Sequence, residues 1–133
     1  MPAVTVHYPK GSMDPAEKVR FKRAVKLEVA RHMDAINPET GVRTAYRENP
    51  DSFIDLILVP YGTEDADVTT PFVATIVTYE WPDRMKDLGA RVERITAMVR
   101  QSFTTDMVAR YPEGAELISF TFLGKAPGAW HAA

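Results

Sequence analysis

The residue with the most chemical potential in this sequence is its second. Met1-Pro2 opens directly onto an alternating, β-branched run, Ala3-Val-Thr-Val-His-Tyr8. If Met1 is removed, Pro2 becomes a secondary amine at the start of a strand. An ordinary α-amino group titrates near about 7.7–8.0. Burial or neighbouring cations lower that value and leave a base already neutral at working pH. Such an amine can take a proton from beside a carbonyl, deliver one, or attack the carbonyl as a nucleophile. The chemistry needs positive charge or hydrogen-bond donors at the enolate oxygen. It also needs a cation for any substrate carboxylate. Arg43 and Arg47 fall on one face if Val42 to Arg47 is extended, and could serve there or form surface salt bridges. His32 lies seven residues after Val25 and so shares the apolar face of the first expected helix, a position more typical of a core or subunit-contact histidine. His7 and Thr5 share the strand face opposite Val4, Val6 and Tyr8.

The first strand runs from Pro2 to Tyr8. Asp14 is an N-cap, Pro15 fits the first helical position, and Glu17 completes a capping box. Phe21, Val25, Val29, Met33 and Ile36 then form one apolar stripe, with Asn37-Pro38 ending the helix. Val42 to Arg47 is a candidate short strand, Asn49 to Ser52 a turn, and Phe53 to Val59 a stronger strand. The pattern restarts with a near-continuous strand, Pro71 to Tyr79. A helix start follows at Trp81-Pro82-Asp83, then a stripe of Leu88, Val92, Ile95, Val99 and Phe103, then a last strand from Leu117 to Leu123.

The halves can be superposed. Pro2-Ala-Val-Thr matches Pro71-Phe-Val-Ala at a shift of 69; Val25, Val29 and Met33 match Ile95, Val99 and Phe103 at 70; Pro50-Asp-Ser-Phe53 matches Pro127-Gly-Ala-Trp130 at 77. The slowly growing shift is what insertions produce, and repeats of this kind decide the fold. The expectation is a single α/β (α+β) domain over residues 1–133, made of two tandem β-α-β units, 2–62 and 71–130. Together they would form a four-stranded core sheet with two helices on one face.

Composition narrows the function. The net charge of −2, with 16 basic and 18 acidic residues, gives no footprint for nucleic acid or an anionic membrane. The absence of Cys excludes disulfides, thiolate zinc sites and cysteine nucleophiles. No apolar run approaches the roughly 18 residues of a membrane span, and no secretory signal is visible, so a cytoplasmic protein is expected. No phosphate loop or G-x-S-x-G elbow occurs. Three scattered His make a poor metal site, so neither metal nor cofactor is expected.

A Pro opening a strand, followed by a helix and a duplicated strand–helix–strand unit, resembles the tautomerase superfamily, whose longer members fuse such units in pairs. Ala126-Pro-Gly-Ala-Trp130 looks like the closing Pro-x-x-Trp turn. Arg47-Glu-Asn-Pro50, then Tyr61-Gly62, then Phe72 onward follow the order of the malonate semialdehyde decarboxylase group. The resemblance implies a homotrimer with its active site around Pro2, acting on small oxo or enol carboxylic acids without metal or cofactor. It implies a carboxylate-binding role for Lys10, where many relatives carry an Arg. The decarboxylase-like relatives place paired Arg just after the third strand, where this chain has Tyr79 and Trp81; Arg84 could substitute only on a re-routed loop. Tyr79 could still donate to an enolate oxygen. The helix His of some dehalogenase relatives falls one turn before His32, at Val29, and the acidic residue after helix one falls nearest Thr40 or Gly41, leaving only Glu39 for that role.

The expected activity is keto–enol tautomerisation, which needs least of the missing Arg pair. The alternatives are decarboxylation or hydration with dehalogenation of a three-carbon acid, a non-catalytic trimer that kept the fold, and an unrelated ferredoxin-like binding domain. The last would be a dimer or monomer.

Overall fold

A computed structural model describes residues 2–62, 64–103, 105–111 and 116–123. Strand β1 (Ala3–Pro9) is followed by helix α1 (Pro15–Met33), a single-turn helix α2 (Pro50–Phe53) and strand β2 (Asp55–Tyr61). Strand β3 (Phe72–Thr78) leads through a second single-turn helix, α3 (Pro82–Met85), into α4 (Leu88–Gln101), a short α5 (Thr105–Arg110) and strand β4 (Glu116–Phe122). The sheet order is β2-β1-β3-β4. Within each unit the strands are parallel, β1 with β2 and β3 with β4; the units meet antiparallel through β1 and β3. This is the α+β architecture expected.

Alternation decides which face is covered. Val4, Val6 and Tyr8 of β1, and Phe72, Ala74 and Ile76 of β3, are buried with Phe21, Val25, Val29 and Met33 of α1 and Ile95 and Val99 of α4. Each fully buried aliphatic or aromatic side chain contributes about 1.5–3 kcal/mol, so the two stripes dominate the core. Phe103 is buried too, but beyond the end of α4, where it packs 5.1 Å from Phe72 between ring centroids. The opposite sheet face carries Ala3, Thr5 and His7 of β1 and Val73, Thr75 and Val77 of β3. No described helix covers it. Ile57, level with Thr5, is 64% exposed.

Several boundaries differ from the sequence reading. Helix α1 starts at the expected capping box, with Glu17 N–H 2.8 Å from the Asp14 carboxylate. It ends at Met33, not at Asn37, and Ile36 is outside the stripe and exposed. The reason is tertiary: Arg84 and Arg91, from the second unit, take up the terminal carbonyls and cap the helix early. Val42 to Arg47 is no strand. Thr44 N–H and Asn37 N–H close the loop back on Ala35 and Val42, leaving one isolated bridge, Ile36 to Arg43. Phe53 belongs to α2, so β2 starts two residues later than expected. The second helix does not run straight on from Pro82: Asp87 adopts the left-handed conformation (φ +52°) and re-aims the chain into α4. Helix α5 had no expectation behind it. The Pro127-x-x-Trp130 turn and the end of the 71–130 unit lie outside the described residues.

Candidate active site

The parallel and antiparallel pairings bring three things to one end of the molecule: the start of β1, the end of α1 and the end of β3. Pro2 is buried there. Its carbonyl receives Asp55 N–H at 3.4 Å. Ala3 pairs with Val77, so Pro2 is level with Thr78 across the central ladder. Both point to the helix side, as do Val4 and Ile76.

Behind Pro2 and Thr78 lies Arg84, with no exposed surface. Its Nη1 donates to Thr78 Oγ1 (2.6 Å) and to the Tyr79 carbonyl (3.0 Å). Its Nε and Nη2 donate to the Met33 carbonyl (3.1 and 2.9 Å). The guanidinium stacks 4.6 Å from the Trp81 ring, which lies parallel to Tyr79. Burial lowers the Arg84 pKa from its ordinary value, and the hydrogen-bonded Tyr46 hydroxyl and Asp34 oppose that. Arginine nevertheless stays charged in protein interiors. The Trp81 indole N–H is buried with no acceptor among the described residues. An orphaned donor of that kind costs about 1–3 kcal/mol.

On the outer side of Met33 a cleft of about 430 Å³ opens between the end of α1, the following loop and α4. Its walls carry Arg31, Arg43, Arg47, Arg91 and Arg94. Five guanidinia face two carboxylates, Asp34 and Asp87, with His32 beside them. In a chain of net charge −2, this is a strong local concentration of positive charge, suited to an anion. Some of it is structural. Arg91 donates to the carbonyls of His32 (2.8 Å), Asp34 (3.4 Å) and Asp83 (2.8 Å). Arg47 Nε pairs with Asp34 at 3.2 Å, and Thr44 Oγ1 hydrogen-bonds the same buried carboxylate. Arg31 pairs with Glu28 at 3.1 Å. Arg43 is only 3.9 Å from Asp83 and half exposed, and Arg94 has no ion-pair partner among the described residues. His32 Nε2 is 3.3 Å from Glu28. Burial lowers its pKa from 6.5, Arg94 and Arg91 add to the lowering, and Glu28 opposes it.

The sequence candidates therefore separate. Arg43, Arg47 and His32 share the cleft, the two arginines by way of a turn and not an extended strand. Pro2 does not line it; Met33 and Arg84 stand between. Arg84 is enclosed by protein carbonyls and so does not face a ligand from the loop after β3. Tyr79 is buried against Trp81, and burial raises its pKa from 10.0. Lys10 sits beyond the far end of β1, its N–H on the Tyr61 carbonyl at 2.7 Å. At about 3.3 Å per strand residue, that is roughly 26 Å from Pro2 within one chain. Glu39 is exposed in the loop after α1, outside the cleft. Sequence reading missed Arg31, Asp34, Asp87, Arg91 and Arg94. The i,i+3 spacing of Arg91 and Arg94 on one helix face was the signal available. Among the described residues no three His, Asp or Glu side chains gather to hold a metal, and no helix is long and apolar enough to cross a membrane.

A pair of β-α-β units joined antiparallel is a fold that several solved fused 4-OT structures share. The chain covers 92% of its length on 86% of a fused 4-OT solved as an asymmetric trimer (TM-score 0.61, 10% identity). It matches Pt0534 inactivated by 2-oxo-3-pentynoate over 94% of this chain and 88% of that one (TM-score 0.60, 11% identity). N1, a member of the cis-3-chloroacrylic acid dehalogenase family, matches over 90% and 75% (TM-score 0.52, 12% identity). No family model matches the sequence, and no curated protein does.

Proposed function

We propose that the chain is an enzyme that interconverts keto and enol forms of a small 2-oxo or enol carboxylic acid, with Pro2 as general acid or base. The observation that carries this reading is the arginine-walled cleft one side-chain layer from the start of β1. It gives an acid somewhere to bind at the end of the molecule where the proline amine would lie. Arg43 and Arg94 are the cations least committed to protein partners and would hold the carboxylate, with Arg47, already paired to Asp34, beside them. Enclosure of Arg84 leaves no described arginine facing out just after β3. That favours tautomerisation over decarboxylation or hydration, which ask more of such a pair. Substrate entry requires the Met33 side of the cleft to open towards Pro2. The working form is a homotrimer, with the uncovered face of the sheet as its contact surface.

The test is intact mass after brief exposure to 2-oxo-3-pentynoate, with the adduct mapped by fragmentation, beside enol–keto assays of 2-oxo acids. One adduct on Pro2 of a chain lacking Met1, and loss of turnover in Pro2→Ala, are expected. Burial of Pro2 outside the cleft favours one rival, a non-catalytic anion-binding protein. Saturable binding of 2-oxo acids with no adduct and no turnover would establish that rival instead.

A further inference from the structure

The reading above leaves Arg84 without a task, and its setting calls for one. It is a fully buried guanidinium whose direct partners are carbonyls and hydroxyls, with no carboxylate within ion-pair distance among the described residues. Burying an ion without a directly paired counter-ion is costly, and a well-packed apolar residue normally fills such a place more cheaply. The charge also has a direction. Opposite residues on one face of an antiparallel pair hold their Cβ atoms about 4.5–5.5 Å apart. Thr78, level with Pro2, accepts from Arg84 at 2.6 Å. The cation therefore lies roughly two side-chain contacts from Pro2, among buried residues.

We propose that Arg84 is a positioning residue for Pro2: its buried charge, held by Thr78, Tyr79 and Met33, keeps the proline amine unprotonated and ready to act as a base. This rests on the assignment of Pro2 in the proposed function. The groups facing this pair come from every packed element. Asp34 ends α1, Tyr46 lies in the loop after it, Arg91 belongs to α4, Tyr79 follows β3, and Asp55 opens β2. Of these, only Asp34 and Asp55 carry negative charge. Asp34 is engaged by Arg47 and Thr44, and Asp55 is exposed at the surface. The sign follows directly. A nearby cation disfavours a second positive charge, so it lowers the pKa of the amine. At an effective dielectric of about 20, a cation roughly 10 Å away shifts it by about one pH unit.

The experiment is the pH dependence of the rate at which 2-oxo-3-pentynoate alkylates Pro2 in the full chain, read by intact mass. Arg84→Gln should raise the midpoint by about one unit, while Arg84→Lys, which keeps the charge, stays near the wild type. Thr78→Val removes the acceptor on the proline side without changing shape, and should move the midpoint the same way by a smaller amount. A merely structural role predicts lower melting temperatures with no change of midpoint. Unchanged midpoints in Arg84→Gln and Thr78→Val, or in Thr78→Val alone where Arg84→Gln does not fold, would overturn the proposal. Failure of the wild-type chain to react at Pro2 would instead overturn the function it rests on.

Discussion

Residue by residue, the cleft behaves as a set of unequal charges. Asp34 is the most buried of them, its side chain 1% exposed, while Arg47 is 54% exposed. Removing Arg47 leaves that carboxylate with Thr44 alone. Because the pair is half solvated, the cost falls well below that of a fully buried one. Arg47→Ala should therefore destabilise the fold by about 1–2 kcal/mol in urea titration, and Asp34→Asn combined with it should recover part of the loss. His32 gives a pH signature. The fold favours neutral His32, so its contribution is full above 6.5 and is lost as pH falls from 6.5 to the lowered folded value. His32→Gln should flatten that limb of a plot of melting temperature against pH. An unchanged slope would mean that Glu28 balances burial and the two arginines.

At the level of elements, the capping box is the clearest case of sequence dictating structure. Asp14→Ala should cost about 1 kcal/mol and lower the melting temperature by a few degrees. Asp87 is the opposite case. Asn shares its tolerance of the left-handed region, so Asp87→Asn should leave the melting temperature alone. It removes one of two carboxylates from the cleft, and should tighten binding of a small 2-oxo acid about threefold by calorimetry. These two residues also mark what was legible. Alternation, caps and helical stripes are local, and they placed the four strands of the sheet, the start of α1 and the buried face, while adding a false strand at Val42 to Arg47. The end of α1 was not local: it depends on Arg84 and Arg91, which lie 51 and 59 residues from the carbonyls they bind. The cleft was half legible for the same reason. Arg43 and Arg47 were visible as a pair, whereas Arg91 and Arg94 join them only after the second unit docks. Lys10 looked plausible as long as strand direction was unknown. The register moved it to the other end.

For the whole molecule, the uncovered sheet face sets the oligomer question. Ile57, Thr5, Thr75 and Ser119 form one row across all four strands. In the homotrimer proposed above this row lies in the contact surface, with Ile57, 64% exposed, as its one large apolar member. Ile57→Asp should shift sedimentation from trimer towards monomer while leaving the far-UV dichroism intact. A monomeric wild-type chain would refute the assembly.

The antiparallel meeting of β1 and β3 has a consequence for stoichiometry. Each unit begins its first strand at a proline, Pro2 in one and Pro71 in the other, and the two lie at opposite ends of the sheet. Pro71 is interior to the chain, so its nitrogen is an amide and offers no lone pair. Its carbonyl is instead tied to the Tyr61 hydroxyl at 2.7 Å. On the function proposed above, joining two units in one chain would leave one amine corner for each chain. Saturating reagent should stop at one adduct per chain. On the same proposal the other corner, where Lys10 N–H meets the Tyr61 carbonyl, would have only the closure of the sheet to serve.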